Sequence, residues 1–143
     1  MPNLIKSVLL SHSAEKIYDL VNDVESYREF LPWCGGVDIL EKTDTLLDVR
    51  IHIHYMGIEQ YFHTRNVNTR PTYMDMNFVD GPFEHFHGYW RFTPLQDDAC
   101  KVEFELHYEF KSHSLEKIIG PVFNFITGTF VENFVKRADQ IYQ

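Results

Sequence analysis

Residues 114–143, SLEKIIGPVFNFITGTFVENFVKRADQIYQ, decide the fold of this chain. Their apolar side chains recur at steps of three and four residues, so they share one face of a helix. The members of this stripe are Leu115, Ile118, Ile119, Val122, Phe123, Ile126, Phe130, Phe134, Ala138 and Ile141. At ~1.5 Å per residue, such a helix is about 40 Å long. A stripe of that length needs another layer of structure to cover it.

The segment before this helix, residues 37–111, supplies the covering layer. Apolar and polar residues alternate along it with period two, which is typical of strands with one buried face. Short turn sequences interrupt the alternation at Asp44, Met56-Gly57, Arg70-Pro71, Asp80-Gly81-Pro82 and Gln96-Asp97-Asp98. Because these separators are too short to contain crossover helices, we expect hairpins and an antiparallel sheet.

The turn at Met56-Gly57 predicts a register that can be checked on charge. If it closes a two-residue turn, Tyr55 faces Ile58 and the whole strand pair is fixed. Asp48 then lies opposite Arg65, so opposite charges meet. The other predicted pairs are Ile53 with Gln60, Ile51 with Phe62, Val49 with Thr64, and His54 with Glu59. Apolar residues pair with each other on one face, so the assumed turn is self-consistent.

The N-terminal part predicts one strand and two short helices. Residues 4–10 read as a strand, and Ser13 as the N-cap of a helix because apolar residues follow it at helical spacing. A second helix is predicted from Val24 to Phe30, since Asp23 can cap it and Pro32 disfavours its continuation.

These elements predict an α+β fold and a single domain over residues 1–143, in which a curved antiparallel sheet wraps around the long C-terminal helix. Within that helix, Gly120-Pro121 predicts that the first part, residues 114–119, is kinked or separate. Such a kink would gate the groove beneath the helix or only curve the helix around the sheet. Asn124 and Glu132, among other polar residues, interrupt any run of ~20 apolar residues, so we expect no membrane span.

Composition limits the partners. The chain has 143 residues and a formal net charge of −8, which repels phosphate backbones and argues against a DNA partner. The N-terminal Met1-Pro2-Asn3-Leu4 has no features of a targeting sequence, so we expect a cytoplasmic protein. Cys34 and Cys100 are far apart and without further ligand pairs, which favours two free thiols.

Metal-binding and catalytic patterns are weak. His52-x-His54 and His85-x-His87 each place two imidazoles on one side of a strand, but on the outward face and without a third ligand, so we predict no metal site. The sequence contains no nucleophile elbow, phosphate loop or dinucleotide motif. Glu103, Glu105 and Glu109 fit the polar face of a strand better than a general acid and base. We therefore predict no catalytic residue.

The groove between sheet and helix is the predicted site of function, because large apolar groups can line it without filling it. The predicted wall consists of Ile51, Phe62, Met76, Phe78, Trp90, Phe104, Phe123, Ile126 and Phe130. Gln60, Thr64 and Tyr108 would hydrogen-bond the head group of a ligand, or be satisfied by structural water. Such a pocket suits a lipid or a quinone. The alternative is a groove filled by its own side chains.

Three separated motifs carry a resemblance to a known family. They are VNDVESYREFLPWC at residues 21–34, FVDGPF at residues 78–83 and GYWRF at residues 88–92. In this order they resemble the coenzyme Q-binding and ribosome association toxin (RatA) family of START-like domains, also labelled polyketide cyclase or dehydrase-like. The resemblance covers nearly the whole chain, and the helix-grip fold that it implies agrees with the pattern above.

The resemblance implies a non-enzymatic protein that requires no cofactor, holds ubiquinone or a similar isoprenoid lipid, and supports respiration. The bacterial branch of the family also implies a toxin that binds the large ribosomal subunit and blocks subunit joining. A polyketide cyclase-like enzyme is a lesser alternative, since fold kinship does not give chemistry. Transient contact with a membrane surface, at the periphery of the inner membrane, also stays open.

Site residues follow from the matching motifs. By this resemblance Leu31, Pro32 and Trp33 would lie at the cavity mouth, and Phe83 at a hairpin tip beside it. Trp90 and Phe92 would lie on the inner wall. The chain departs from the family at residues 84–87, EHFH, where relatives tend to place lysines. This departure, with the net charge, argues against direct contact with ribosomal RNA.

Overall fold

The computed structural model describes residues 3–142 and confirms the predicted α+β class. A curved antiparallel sheet encloses a long C-terminal helix, with short helices between the first two strands. The elements are β1 (Asn3–Leu10), α1 (Ala14–Asn22), a 3₁₀ turn (Val24–Ser26), α2 (Tyr27–Phe30), β2 (Cys34–Lys42), β3 (Leu46–Tyr55), β4 (Ile58–Thr69), β5 (Tyr73–Asp80), β6 (Phe83–Gln96), β7 (Ala99–Phe110) and α3 (His113–Ile141).

The sheet has seven strands in the order β1-β7-β6-β5-β4-β3-β2. Strands β2 to β7 follow one another as hairpins, as the short separators predict. Strand β1 pairs antiparallel with β7, from Asn3 opposite His107 to Leu10 opposite Cys100. The first strand of the chain is therefore held at the sheet edge by the last one.

The predicted register of the β3–β4 hairpin is confirmed. Tyr55 lies opposite Ile58, and the turn residues Met56 and Gly57 both have positive φ, 53° and 80°. Two residues with positive φ form the turn type whose twist matches that of the strands. Asp48 lies opposite Arg65, and Arg65 Nη1 donates a hydrogen bond of 3.0 Å to Asp48 Oδ2. The local turn and the charge pair thus set which face of each strand is buried.

The N-terminal helices form with one change. Ser13 caps α1, because its Oγ accepts a hydrogen bond from the backbone N–H of Lys16 at 3.2 Å. The second predicted helix divides into the 3₁₀ turn and α2. Asp23 does not cap it through its side chain; the Asp23 carboxylate instead accepts a hydrogen bond of 2.7 Å from Ser26 Oγ.

Helix α3 is continuous through Pro121, so its first part is not a separate helix, and the alternative of a kink stays a prediction. Gly120 explains why, since it has no Cβ to clash with the proline ring. The carbonyl of Lys117 loses its helical donor at Pro121, but Lys117 is exposed and water can replace that bond. The helix begins at His113, capped by Ser112, and its last residue is Ile141; the predicted end at residue 143 lies outside the described residues.

By length and composition α3 is apolar enough to cross a membrane. In the structure its apolar face packs on the sheet, where Phe123, Ile126, Phe134 and Ala138 are buried. Core helices of folded domains pass the same test, and α3 packs as one of them.

Candidate functional site

A cavity lies between the inner face of the sheet, helix α3 and the segment that joins α1 to β2. Its volume is about 60 Å³, measured as the space open to the centre of a water molecule. At about 10–15 Å³ per water on that measure, it has room for about four to six waters. Its lining residues are Val21, Asn22, Val24, Tyr27, Trp33, Leu47, Ile51, Phe62, Thr64, Asn66, Met74, Met76, Phe86, Trp90, Phe104, Leu106, Phe123, Ile126, Thr127 and Phe130.

Strand and helix periodicity position these side chains. On β4 the lining residues Phe62, Thr64 and Asn66 are two residues apart, as on one face of a strand. On α3 the lining residues from Phe123 to Phe130 recur at steps of one, three and four. The cavity therefore lies where the inner face of the sheet and the apolar stripe of α3 fail to meet completely.

Aromatic rings form its centre. Trp90 lies 4.6 Å from Phe104 and 5.6 Å from Phe130, measured between ring centroids. Trp33 lies 6.1 Å from Phe130 at a tilt of 47°. A flat ring entering the cavity would meet ring faces and edges from the sheet, from α3 and from the α2–β2 turn.

Most of the wall predicted from sequence lies around the cavity. The predicted residues that line it are Ile51, Phe62, Thr64, Met76, Trp90, Phe104, Phe123, Ile126 and Phe130. Four others, Gln60, Phe78, Phe92 and Tyr108, do not line it. Trp33, which the family resemblance puts at the mouth, is a lining residue.

Two different causes keep Phe92 and Gln60 out of the cavity. Phe92 is fully buried because Tyr18 of α1 packs on it edge-on, with ring centroids 5.7 Å apart. Gln60 follows the Met56-Gly57 turn by three residues and lies in a surface depression beside Tyr61 and His54. An inward-facing side chain thus borders the cavity only if it lies near the middle of its strand.

Phe78, Phe83 and Tyr108 belong to an aromatic cluster that fills one end of the groove. Phe83 lies 5.0 Å from Phe123 and 5.9 Å from both Phe78 and Tyr108, between ring centroids. Phe83 directly follows the turn between β5 and β6, as predicted, but it is 1% exposed because its ring packs inward. Tyr108 donates a hydrogen bond of 3.2 Å to Asn124 Oδ1 and has its own partner. At this end the groove is filled by its own side chains.

The predicted mouth is also largely buried. Leu31 and Trp33 are each 1% exposed, and only Pro32 between them is exposed. The backbone N–H of Cys34 donates to Leu31 O at 3.0 Å, and that of His54 donates to Trp33 O at 2.8 Å. These bonds hold Trp33 inward, where it forms part of the cavity wall, whereas Leu31 and Pro32 do not line the cavity.

The polar groups of the site are mostly ones that the sequence analysis missed. Asn66 and Asn68 lie on the inner face of β4, and Asn68 Nδ2 donates to Asn22 Oδ1 at 3.3 Å. Trp33 Nε1, Asn66 Oδ1 and Asn68 Oδ1 are buried without a hydrogen-bond partner. The register of β4 could have predicted them. Thr64 faces inward, and the residues two and four positions further along the strand, Asn66 and Asn68, face the same way.

Comparison with known proteins assigns the family. Residues 10–135 match the family model described as polyketide cyclase / dehydrase and lipid transport, which covers most of the chain. The chain belongs to this family of START-like domains. The resemblance carried by the three sequence motifs is thereby confirmed.

Named relatives of this START-like domain cover almost all of it. It is 42% identical over 142 residues to the ribosome association toxin RatA of Escherichia coli strain K12, covering 99% of this chain and 90% of that protein. It is 27% identical over 142 residues to the mitochondrial coenzyme Q-binding protein COQ10 homolog B of Xenopus laevis, covering 96% of this chain and 58% of that protein.

Solved structures agree on the fold. The 18 kDa protein CC1736 of Caulobacter crescentus superposes with a TM-score of 0.75 at 26% identity, covering 99% of each chain. The Zhui aromatase/cyclase of a Streptomyces species superposes with a TM-score of 0.81 at 15% identity, covering 99% of this chain and 96% of that one. At that identity the second likeness shows the fold alone.

Tyr27, the one phenol among the described residues that line this START-like cavity, is held in its neutral form. Tyr27 donates a short hydrogen bond to the backbone carbonyl of Val21, and burial raises its pKa far above the usual value of 10.0. Burial also raises the pKa of the Cys34 thiol beside the cavity wall. Neither group exchanges a proton near neutral pH.

No histidine within residues 3–142 of this START-like domain lines the cavity, and most of the histidines lie beside carboxylates. His52 Nε2 lies 2.7 Å from Asp38 Oδ2, and His87 Nε2 lies 2.8 Å from Asp75 Oδ1. His63 makes a short hydrogen bond to Asp48. Within residues 3–142 no three histidine, cysteine, aspartate or glutamate side chains are grouped so as to hold a metal ion.

Proposed function

We propose that this START-like domain binds a hydrophobic ligand in the cavity between its sheet and α3, and that the ligand is ubiquinone or a related isoprenoid lipid. The observation that carries this proposal is an unfilled, mostly aromatic and aliphatic cavity in the middle of an otherwise closely packed core. Well-packed interiors leave few voids larger than a water molecule. A void with apolar walls is suited to apolar ligands.

The residues that line the cavity favour ligand binding over catalysis. Among the described residues that line the cavity there is no aspartate, glutamate, lysine, arginine or histidine. A cyclase needs a group that can take up or release a proton next to its substrate. Tyr27, the one titratable lining group, keeps its proton. These features support a binding protein that acts without a catalytic residue and without any cofactor besides its ligand.

The relatives support the same ligand class. The name of the Xenopus laevis relative describes a coenzyme Q-binding protein, and its similarity extends over 96% of this chain. We extend that ligand class to this domain, which we treat as one unit spanning residues 1–143, and with it a role in respiration.

The cavity must expand to hold such a ligand. Space for about four to six waters fits part of a substituted ring, but not a ring with an isoprenoid tail. The tail would have to follow the groove outward as the half-buried side chains of Phe62, Met76 and Phe130 move aside. Binding should then order these side chains and stabilise the folded state by mass action.

Extraction and refilling test this proposal. The protein is purified without detergent, extracted with organic solvent, and the extract is analysed by mass spectrometry. The delipidated protein is then titrated with a short-tail ubiquinone while its midpoint of thermal unfolding is followed. We expect a co-purified isoprenoid lipid and a midpoint that rises with ligand concentration. An empty extract together with an unchanged midpoint would reject ligand binding.

A second candidate function is association with the large ribosomal subunit, blocking subunit joining. It is favoured by 42% identity over 142 residues to a protein named ribosome association toxin RatA. The charges of this chain do not favour a contact made mainly with RNA phosphates. Within residues 3–142, four of the basic side chains already have acidic partners: Arg65 with Asp48, Arg70 with Asp19, Arg137 with Glu29, and Lys42 with Glu25. We therefore propose that the domain contacts a protein of the large subunit and not its RNA.

Co-sedimentation separates the two functions. Purified large subunits are centrifuged with the domain at low and at physiological salt. A contact with protein persists at physiological salt, whereas one with phosphates weakens steeply as salt rises. Recovery of the domain only in the supernatant at both salt concentrations would reject the ribosomal function and leave the lipid function untouched.

A cytoplasmic protein that carries an isoprenoid lipid must collect it from a membrane, so we also propose transient contact with the inner membrane surface. Ile118 and Phe125 lie about two turns apart on the same face of α3, are 60% and 40% exposed, and would make that contact. Flotation with vesicles loaded with ubiquinone tests it. The Ile118→Ser variant should float less than the wild type, and equal flotation would contradict the contact.

A further inference from the structure

Two unpartnered polar atoms belong to the wall of the cavity. Trp33 Nε1 and Asn66 Oδ1 are buried without a hydrogen-bond partner, and both side chains line the cavity. Buried polar groups in folded proteins are nearly always paired, because an unmade hydrogen bond leaves the cost of desolvation uncompensated. Two such atoms at one cavity need partners that enter the cavity.

The fold holds both side chains in place. Trp33 is fixed by the backbone bonds that fold its segment inward, and its indole lies against Phe130. Asn66 lies in the middle of β4, paired with Leu47 of β3 and Met76 of β5. Neither side chain can turn to solvent, as they are only 1% and 9% exposed. The missing partners must therefore come to them.

We propose that Trp33 and Asn66 form a head-group subsite that hydrogen-bonds the ring oxygens of a quinone, quinol or phenol. The subsite would select such oxygenated rings over plain isoprenoid chains. This inference rests on the proposed lipid function and deepens it, because it names the part of the ligand that is recognised and the residues that recognise it.

The chemistry of the two groups defines the ligand. Indole Nε1–H can only donate, so the ligand must present an acceptor oxygen to Trp33. The amide of Asn66 offers both an acceptor and two donors, so it can pair with a ring hydroxyl or a ring carbonyl. Trp90, Phe104 and Phe130 surround the same space with aromatic rings, which suits a flat head group. A bare hydrocarbon would leave both polar atoms unpaired.

Three ligands and three variants test the subsite. The ligands are a short-tail ubiquinone, its reduced quinol, and an isoprenoid hydrocarbon of matched length without oxygen. The variants are Trp33→Phe, which removes the donor but keeps a ring, Asn66→Leu, which removes the amide, and Met76→Leu as a control that changes an apolar lining residue. Dissociation constants are measured by calorimetry on delipidated protein, and near-ultraviolet circular dichroism verifies the fold.

We expect Trp33→Phe and Asn66→Leu each to weaken binding of the oxygenated ring by about threefold to tenfold, while binding of the hydrocarbon changes less than twofold. Met76→Leu should affect all three ligands alike. A wild type that binds quinone and hydrocarbon equally would overturn the subsite even if a variant fails to fold. So would variants that weaken all ligands equally. A wild type that binds none of the three would instead refute the lipid function itself.

Discussion

The ring of Tyr55 stacks on the ring of Phe125, with centroids 5.2 Å apart and planes inclined by 5°. Tyr55 ends β3, directly before the Met56-Gly57 turn, and Phe125 lies in α3 between the lining residues Phe123 and Ile126. The stack therefore joins the tip of the β3–β4 hairpin to the helix that roofs the cavity. Both rings are partly exposed, so the contact can open without unfolding the core.

Tyr55→Ala should loosen this side of the cavity. Loss of an aromatic pair costs about 0.5–1.5 kcal/mol of unfolding free energy, and the freed hairpin should speed ligand exchange. Urea unfolding and stopped-flow displacement of a fluorescent lipid measure the two effects. Tyr89→Ala is the matched control, because Tyr89 also stacks on a ring, that of Tyr73, with centroids 5.5 Å apart. That pair does not involve α3. Equal exchange rates in the two variants would contradict a role of the Tyr55 stack in access.

Asn66→Leu should stabilise the empty protein while it weakens ligand binding. It removes a buried oxygen that has no partner, so we expect the free energy of unfolding to rise by about 1–2 kcal/mol. Asn68→Leu is the control, because it also breaks the bond to Asn22 and should gain less or lose stability. Urea denaturation of delipidated samples checks both. A destabilised Asn66→Leu would show that Asn66 is satisfied in solution.

Gly88→Ala should destabilise the sheet beneath the cavity. A Cβ on Gly88 would lie 2.8 Å from the carbonyl oxygen of Glu105 and 2.9 Å from side-chain atoms of Met76 and Leu106. We expect a loss of about 1–3 kcal/mol, as for overpacked cores. At Gly128 of α3 an added Cβ meets nothing within 4 Å, so Gly128→Ala should gain about 0.5–1 kcal/mol from helix propensity. Thermal unfolding compares them, and equal effects would contradict the clash.

Both thiols should be unreactive in the folded protein. Burial raises the pKa of Cys34 and of Cys100 above the usual value of 9.0, so little thiolate is present near neutral pH. Alkylation with iodoacetamide, followed by mass spectrometry, should be slow in buffer and fast in urea. Because the folded state holds these protons more tightly, stability should fall as pH rises beyond about 9. Rapid labelling in buffer at neutral pH would contradict this burial.

Local chemistry explains what the sequence predicts well. The β3–β4 register follows from a two-residue turn, and it places the opposite charges of Asp48 and Arg65 beside each other. Alternation along each strand then places Trp90 and Phe104 on the wall of the cavity. These features depend on neighbours within one hairpin, so each hairpin determines its own register.

Packing between distant segments explains the rest. Whether an inward side chain borders a cavity or touches a neighbour depends on which element covers it. Phe92 is covered by Tyr18, far from it in sequence, and Phe83 by Phe123 of α3. Neither contact has a periodic signal. The buried Asn66 was within reach of the alternation, but an amide in an apolar wall contradicts the expectation that inner faces are apolar.

The pairing of β1 with β7 determines when this protein can finish folding. During translation the segment Asn3–Leu10 has no strand to pair with until residues 100–107 emerge. At ~5–20 residues per second, the time between the synthesis of the two segments is about 5–20 s. The nascent chain therefore carries an unpaired edge strand until most of it has been synthesised. Helix α3 follows β7 in the chain, so the interior of the sheet is closed only after residues 113–141 have also emerged.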